Sequence, residues 1–251
     1  MENILVFPAG GTEAVQYAAA YLAKAGIPLT DHPTPEVSHL LLDVPSFGPD
    51  GALRTGGQVE DLLERLPEGI TVAGGNLEHP ALAGYQKLDL LQDAGYAAQN
   101  AAITADCALG TAIPLLKTTF ADTPTLVIGW GRIGKCLAAL LKGIGAPVTV
   151  SARKESDRAI LEALGYEAVD IAGLDPLLPR FRLVFNTAPA PVLTAAQSAL
   201  CQGVKIDLSS KLGMAGPDVI WARGLPGLCA PESSGKLIAE TFLRLLKEGA
   251  A

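Results

Sequence analysis

Residues 125–134 read Thr-Leu-Val-Ile-Gly-Trp-Gly-Arg-Ile-Gly, and this stretch decides the fold. A short apolar run ends in a Gly-x-Gly-x-x-Gly pattern, and a helical pattern begins at once. Gly129 permits a tight turn, Gly131 lets a pyrophosphate approach the backbone, and Gly134 lets the helix pack closely on the strand. The helix N-terminus offers unpaired N–H groups to phosphates. The stretch predicts a dinucleotide-binding turn made of Gly129, Trp130, Gly131, Arg132, Ile133 and Gly134.

Strand and helix patterns alternate downstream of this turn. The predicted strands are Thr125–Ile128, Val148–Ser151, Glu167–Val169, Leu183–Phe185, Lys205–Leu208 and Val219–Trp221. Helical patterns cover Arg132–Lys142 and Glu155–Leu164. Six strands with helical crossovers predict an α/β fold with a doubly wound parallel Rossmann sheet.

A smaller α/β domain is predicted before it, together with a C-terminal helix, Ser233–Lys247, that packs back on that domain. Its strands are Asn3–Phe7, Leu40–Val44 and Ile70–Ala73, and its helices are Thr12–Ala25 and Val59–Leu66. A linking helix is predicted at Thr104–Phe120, capped by Thr104 and kinked at Pro114. The expected divisions are 1–103 for the substrate-side domain, 104–120 for the linking helix, 121–232 for the Rossmann domain and 233–251 for the last helix.

The end of the second Rossmann strand bears on the choice of cofactor. NAD-binding proteins place an acid there to hold the ribose 2′-hydroxyl. Here the chain has Ser151, Arg153 and Lys154, followed by Glu155. A 2′-phosphate would pair with Arg153 by charge-assisted hydrogen bonds, so the sequence favours NADP over NAD. Both cations are also compatible with an ordinary solvated surface.

Three later loops follow strand ends, where ligands of open α/β sheets bind. The residues expected on the nicotinamide side are Asn186, Thr187, Ala188, Pro189 and Leu225. Ser210 and Lys211 are the candidate catalytic residues, because Lys211 would bind a substrate carboxylate or act as an acid. Each loop alone also fits a simple polar turn. No histidine follows His79, which argues against a histidine-dependent 2-hydroxy-acid dehydrogenase.

Composition excludes several classes of protein. The net charge of −7 gives no basic surface for nucleic acid. No apolar run reaches the ~20 residues of a membrane span, and the first residues lack a basic leader, so a cytoplasmic location is expected. The four cysteines are scattered, so no metal site is predicted. Ser234-Gly235-Lys236 lacks the other residues of a Walker loop.

Several motifs taken together resemble the family of the dipicolinate synthase A subunit, in order from about residue 88 onward. They are residues 100–106 (NAAITAD), the turn at 129–134, Ser151-Ala152-Arg153, residues 185–189 (FNTAP), residues 206–211 (IDLSSK), and Gly224-Leu225-Pro226-Gly227 with Ala230, Pro231 and Gly235. The resemblance implies an NAD(P)-dependent oxidation of a cyclic dihydrodipicolinate-type lysine-pathway intermediate to dipicolinate, in sporulating bacteria. It also implies an oligomer and a flavoprotein-like second subunit.

The resemblance further implies that the substrate contacts Gly10, Gly11, Thr12, Asn100 and Thr104 in a cleft between the domains. The first loop departs from the family, because Thr12 and Glu13 replace its usual Asp and no Arg appears before Arg54. Two alternatives therefore stay open. One is a non-catalytic NAD(P)-binding partner of a flavoprotein. The other is a dehydrogenase of another small carboxylic acid.

Overall fold

The computed structural model describes residues 4–249, which form two compact units. The first unit combines residues 4–100 with 226–249, and the second is 101–225. The strands are β1 Val6–Pro8, β2 His39–Leu41, β3 Thr71–Gly74, β4 Gln86–Asp89, β5 Thr125–Ile128, β6 Val148–Ser151, β7 Glu167–Val169, β8 Leu183–Asn186, β9 Val204–Asp207 and β10 Val219–Trp221. The helices are α1 Glu13–Lys24, α2 Val59–Leu63, α3 Ala94–Ala112, α4 Arg132–Gly143, α5 Glu155–Ala163, α6 Ala195–Leu200, α7 Leu225–Cys229 and α8 Pro231–Gly249.

The second unit has the doubly wound sheet that the sequence predicts. Its six parallel strands lie in the order β10-β9-β8-β5-β6-β7. The chain starts in the interior at β5, builds outward to β7 and returns to the other side of β5 at β8. Strand order thus reverses between β5 and β8, where open α/β sheets form their ligand crevice. The strand β5 is buried at every position, as a central parallel strand must be.

The first unit has a four-stranded parallel sheet in the order β1-β2-β3-β4. Helices α1 and α8 both belong to this unit, so the predicted return of the last helix is confirmed. A Cβ at Gly235 would lie 2.5 Å from the carbonyl oxygen of Ala14 and 2.8 Å from the backbone nitrogen of Ala18. The glycine of Ser234-Gly235-Lys236 therefore allows α8 to lie directly against α1. This helix packing accounts for the glycine in the Walker-like fragment.

The predicted linking helix is wrong in its bounds. Helix α3 begins ten residues before Thr104, and Asp93 caps it by accepting a hydrogen bond from the backbone N–H of Tyr96 at 2.7 Å. It ends at Ala112, and Pro114 lies in a short 3₁₀ turn beyond it, because proline cannot donate the next helical bond. The sequence prediction favoured the apolar stretch after Thr104 and overlooked the aspartate cap.

Several other elements of the first unit differ from the prediction. The strand expected at Leu40–Val44 is β2, His39–Leu41, and the helix expected at Val59–Leu66 ends at Leu63. The strand β4 was missed, because Gln86-Lys87-Leu88-Asp89 is a polar edge strand with little apolar signal. The strand expected at Asn3–Phe7 is β1, shifted toward Pro8, and its predicted first residue lies outside the described residues.

Candidate dinucleotide site

The strand register of the second unit places five residues in one row at the carboxyl edge of the sheet. Ile128 pairs with Ser151 on one side and with Asn186 on the other. Asn186 pairs with Asp207, which pairs with Trp221. The loops that follow these strands therefore leave the sheet at the same level and define the candidate site.

The glycine turn after β5 is fixed by its neighbours. Gly129 adopts φ +106°, a conformation that favours glycine, and a Cβ there would lie 2.5 Å from Thr187 Oγ1. A Cβ at Gly134 would overlap the carbonyl oxygen of Gly129. Thr187 donates its hydroxyl to the carbonyl of Ile128 at 3.0 Å, so the loop after β8 supports the turn. Two of the three glycines are thus required by the protein itself.

Gly131 differs from the other two glycines. A Cβ at this position would meet no protein atom within 4 Å. Gly131 is also the N-cap of α4, and no side chain caps the first turn of that helix. The unpaired N–H groups of a helix N-terminus attract phosphate oxygens. The open space above Gly131 therefore fits a pyrophosphate that approaches the backbone.

Ser151 supplies a second sign of a ligand. Its residue is 2% exposed, and its hydroxyl has no hydrogen-bond partner among the described residues. Buried hydroxyls normally form hydrogen bonds, so the Ser151 hydroxyl is available to bond a ligand. The sequence expects Ser151 beside the adenosine ribose, and its chemistry fits that neighbour.

The loop after β6 contains the two predicted 2′-phosphate ligands. Arg153 and Lys154 are exposed, and neither forms an ion pair within residues 4–249. Arg158, which the sequence interpretation missed, donates from Nη1 to the carbonyl oxygens of Ala152 at 2.8 Å and Arg153 at 2.9 Å. It also pairs with Asp170 at 2.6 Å. Arg158 therefore fixes the backbone that carries Arg153 and Lys154.

The loops after β8 and β9 are organised by Asp207, which the sequence interpretation did not assign to the site. This carboxylate is 0% exposed and accepts from Asn186 Nδ2 at 3.0 Å and from the Ser209 hydroxyl at 2.5 Å. It also accepts from the backbone N–H groups of Ser209, Gly213 and Met214, at 3.0, 2.8 and 2.9 Å. The available signal was an acidic residue inside the predicted strand Lys205–Leu208.

Asn186 is committed to the same network. Its Nδ2 donates to Asp207 and to the carbonyl of Ala188, and its Oδ1 accepts from the Ala188 N–H at 3.0 Å. It is fully buried, so it shapes the loop after β8. Ala188 is half-buried and Pro189 is exposed at the tip of that loop, while Leu225 is buried at the start of α7.

The two candidate catalytic residues lie at the exposed end of the loop after β9. Ser210 and Lys211 are both exposed, and Lys211 forms no ion pair with any residue of the described range. The neighbouring Ser209 hydroxyl lies within hydrogen-bond distance of the Lys211 carbonyl oxygen as well as of Asp207, so these two acceptors share its single proton. The indole N–H of Trp221 donates to the Ser209 carbonyl at 3.0 Å.

In the first unit, the carboxylate of Asp43 occupies the hydrogen-bond donors of the glycine loop. Asp43, which is 3% exposed, accepts from the N–H of Gly11 at 3.2 Å, the N–H of Thr12 at 3.1 Å and the Thr12 hydroxyl at 2.5 Å. Gly10 donates to the carbonyl of Leu41. The N-terminus of α1 thus already holds an anion, whereas that of α4 is open. The sequence interpretation missed Asp43, which follows a short strand without any motif.

The last two predicted substrate residues lie on α3. Asn100 and Thr104 are four residues apart, so they share one face of this helix. Asn100 is half-buried, and Thr104 is 7% exposed.

Trp130 at the glycine turn has an aromatic and a cationic neighbour. Its ring meets that of Tyr166 edge-on, with centroids 6.0 Å apart, and the Lys135 ammonium lies 5.7 Å from its centroid. This arrangement places an indole directly beside the predicted pyrophosphate position.

The sheet order and the glycine turn define a dehydrogenase-type Rossmann protein, the fold class of nicotinamide-dependent oxidoreductases. Within that class the chain resembles the A subunit of dipicolinate synthase. It is 27% identical to that protein of Bacillus subtilis over 204 residues, which cover 75% of this chain and 69% of the relative. No family model matches the sequence.

Solved structures agree on the fold. The dipicolinate synthase A subunit of Bacillus halodurans matches with a TM-score of 0.85 at 22% identity, over 97% of this chain and 98% of that chain. Its counterpart from Bacillus subtilis matches with 0.82 at 20% identity, over 99% and 97%. D-lactate dehydrogenase of Escherichia coli matches with 0.61 at 15% identity, over 98% and 97%. The resemblance expected from the motifs is therefore confirmed, and the fold extends to other dehydrogenases.

Within residues 4–249, no helix combines the length and the apolar character needed to cross a bilayer.

Proposed function

We propose that this protein is the NADP-binding subunit of an oxidoreductase that converts a cyclic dihydrodipicolinate-type intermediate to dipicolinate. The observation that carries the proposal is the open turn at Gly131, where a Cβ would meet no protein atom within 4 Å and no side chain caps the N-terminus of α4. The similarity to the dipicolinate synthase A subunit over three quarters of the chain supports the substrate class. A flavoprotein-like second subunit is part of the proposal.

The chemistry asks for one hydride and one proton to leave the ring. The nicotinamide would accept the hydride from a ring carbon, the proton would pass to solvent or to a nearby base, and the ring would become aromatic. The protein's part is to orient the ring against the cofactor. We assign Lys211 to a substrate carboxylate, since it is an exposed ammonium without an ion-pair partner in the described chain. Ser210, Asn100 and Thr104 are proposed as further polar contacts of the substrate.

The preference for NADP rests on Arg153 and Lys154. Both lie just beyond β6, where NAD-binding proteins place an acid, and neither is neutralised by a described carboxylate. A charge-assisted bond to phosphate contributes about 1.5–3 kcal/mol, which corresponds to about 10- to 150-fold in affinity. Arg153→Ala should weaken NADP binding in that range and leave NAD binding nearly unchanged. Arg182→Ala, an exposed cation of the same unit, is the matched control.

Activity is tested with the purified chain, a flavoprotein-like partner, the cyclic intermediate and NADP. The expected result is growth of reduced-nicotinamide absorbance together with the ultraviolet absorbance of dipicolinate. Binding of NADP without either signal would favour a non-catalytic partner role. Lys211→Met should raise the KM for the intermediate far more than it changes the affinity for NADP.

A dehydrogenase of another small carboxylic acid is the second candidate. It is favoured by Asp43, whose carboxylate occupies the N–H groups of Gly11 and Thr12 that the resemblance assigns to substrate. An anionic substrate group at that loop would have to displace a buried carboxylate. A screen of small mono- and dicarboxylic acids, followed by nicotinamide absorbance, separates the two candidates.

A further inference from the structure

Arg158 of α5 belongs to no predicted site, yet it forms hydrogen bonds directly to the loop after β6. Its Nη1 donates to the carbonyl oxygens of Ala152 and Arg153 and pairs with Asp170 at 2.6 Å. The Arg158 side chain is 23% exposed and the Asp170 side chain 43% exposed. One guanidinium thus joins a helix, the loop after β6 and the residue after β7.

Asp170 is itself held in place. Its Oδ1 accepts from the N–H of Ala172 at 2.9 Å, at the start of a 3₁₀ turn. Ala152 donates its N–H to the carbonyl of Val169 at 3.1 Å, which continues the β6–β7 pairing by one residue. We call the pair of Arg158 and Asp170 the latch. The latch therefore fixes the peptide at 152–153 relative to the end of β7.

The latch carries one positive and one negative charge in contact, so it adds little attraction for a phosphate at longer range. Its effect on a ligand has to come from the backbone geometry that it imposes. Arg153 and Lys154 leave the sheet from this backbone and have no ion-pair partner in residues 4–249. An ordered loop loses less side-chain freedom when its cations close on a phosphate.

We propose that Arg158 is a positioning residue for cofactor specificity, which selects NADP by holding, together with Asp170, the loop from which Arg153 and Lys154 reach the 2′-phosphate. This inference rests on the NADP preference proposed above. It assigns the specificity to a latch beneath the loop as well as to the cations that touch the ligand.

The test measures the Kd of NADP and of NAD for the full chain and its variants, by calorimetry. Arg158→Met removes the latch bonds, and the double variant Arg158→Met with Asp170→Asn removes them while keeping the net charge of the wild type. Ordering two long side chains costs about 0.5–1.5 kcal/mol each, so the NADP preference should fall about 5-fold or more in both variants. The Kd of NAD should stay within about twofold.

A second arginine–carboxylate pair that contacts β6 and β7 provides the control. Arg180 pairs with Glu167 at 2.5 Å and donates to Thr149, away from the 152–154 backbone. Arg180→Met with Glu167→Gln should leave the ratio of the two Kd values unchanged. Arg158→Lys, which keeps the positive charge and N–H donors but loses the planar guanidinium, should give an intermediate ratio and replaces Arg158→Met if that variant does not fold.

Three results would overturn the inference and leave the proposed cofactor preference standing. A double variant that regains the wild-type ratio would show that charge, not position, is responsible. A parallel loss of NAD and NADP affinity would show a general structural role. An unchanged ratio in Arg158→Met and Arg158→Lys would remove the latch from specificity. A wild type that binds NAD more tightly than NADP would instead contradict the proposed cofactor preference itself, and with it the inference.

Discussion

The hydroxyl of Thr12 donates to the carboxylate of Asp43 at 2.5 Å, across two neighbouring strand-end loops of the first unit. The same carboxylate receives two backbone N–H groups from the glycine loop. An internal acid therefore stands where an external anion would be bound.

Replacing Asp43 by alanine should destabilise the protein, because three donors in a 3% exposed site would lose their shared acceptor. Hydrogen bonds to a charged group contribute about 1.5–3 kcal/mol, so we expect a loss of about 3 kcal/mol in the free energy of unfolding, measured with urea. Asp50→Ala, at an exposed residue that accepts from the Ala52 N–H, is the control and should cost far less. Equal costs would contradict the capping role.

The glycine turn yields a pair of opposite outcomes. Gly134→Ala places a methyl group against the carbonyl of Gly129, and overpacking of this kind costs about 1–3 kcal/mol. Gly131→Ala meets no protein atom, so the melting temperature should hardly change while NADP affinity falls at least about tenfold. Thermal melting and calorimetry measure the two effects. A stable Gly134→Ala, or a Gly131→Ala that binds normally, would refute the assignment.

Asp207→Asn should loosen the loop after β9. An amide presents one oxygen where the carboxylate accepts five hydrogen bonds on two, so its NH₂ must face existing donors. We expect a loss of about 3 kcal/mol in unfolding free energy and faster tryptic cleavage after Lys211. Asp122→Asn is the exposed control, where a surface change should stay within about 0.5 kcal/mol. Unaltered cleavage after Lys211 would argue against the organising role.

His39 predicts an acid-sensitive component of stability. Burial lowers the pKa of His39 below its ordinary value of 6.5, and its ring lies edge-on to Phe242 with centroids 5.8 Å apart. The unfolded chain binds this proton more tightly, so the contribution is complete above about pH 6.5 and is lost as pH falls through the lowered pKa. His39→Gln should flatten the pH dependence of the urea midpoint between about pH 7.5 and pH 5.

The control for His39 is Gln86→Ala, at an exposed residue of β4 whose side chain does not titrate. This variant should keep the wild-type slope of midpoint against pH. Identical slopes in the wild type and His39→Gln would show that protonation of His39 is not linked to unfolding.

Sequence patterns predict the second unit well and the first unit less well, for a physical reason. The strands β5, β6, β7 and β10 appear at their predicted bounds, because each is a short run that is bounded by turn residues. Of these four, the interior strands β5 and β6 are largely buried, and β7 and β10 are edge strands. The strand β4 is a polar edge strand, and α3 begins at an aspartate cap that competes with a stronger apolar signal after Thr104. Local patterns carry little information about such elements.

The residues of the candidate site likewise fall into those that the sequence predicts and those that it does not. The glycine turn and the free cations after β6 follow from motif and position. Asp43 accepts from Thr12, 31 residues away, Asp207 accepts from Asn186, 21 residues away, and Arg158 pairs with Asp170 of the next strand end. A single sequence gives the residue types but not these partners, because their contacts depend on how neighbouring strands bring loops together.

The packing of α8 on α1 has a consequence for how the protein is made. The first unit consists of segments from both ends of the described chain, whereas the dinucleotide unit is one continuous segment, 101–225. During synthesis the dinucleotide unit can therefore fold before α8, the helix that packs on α1, has been translated. Until α8 emerges from the ribosome, the face of α1 that contacts Gly235 stays exposed to water and to chaperones. A nonsense codon just before α8 would thus damage the unit whose translation starts first and spare the one translated immediately before the stop.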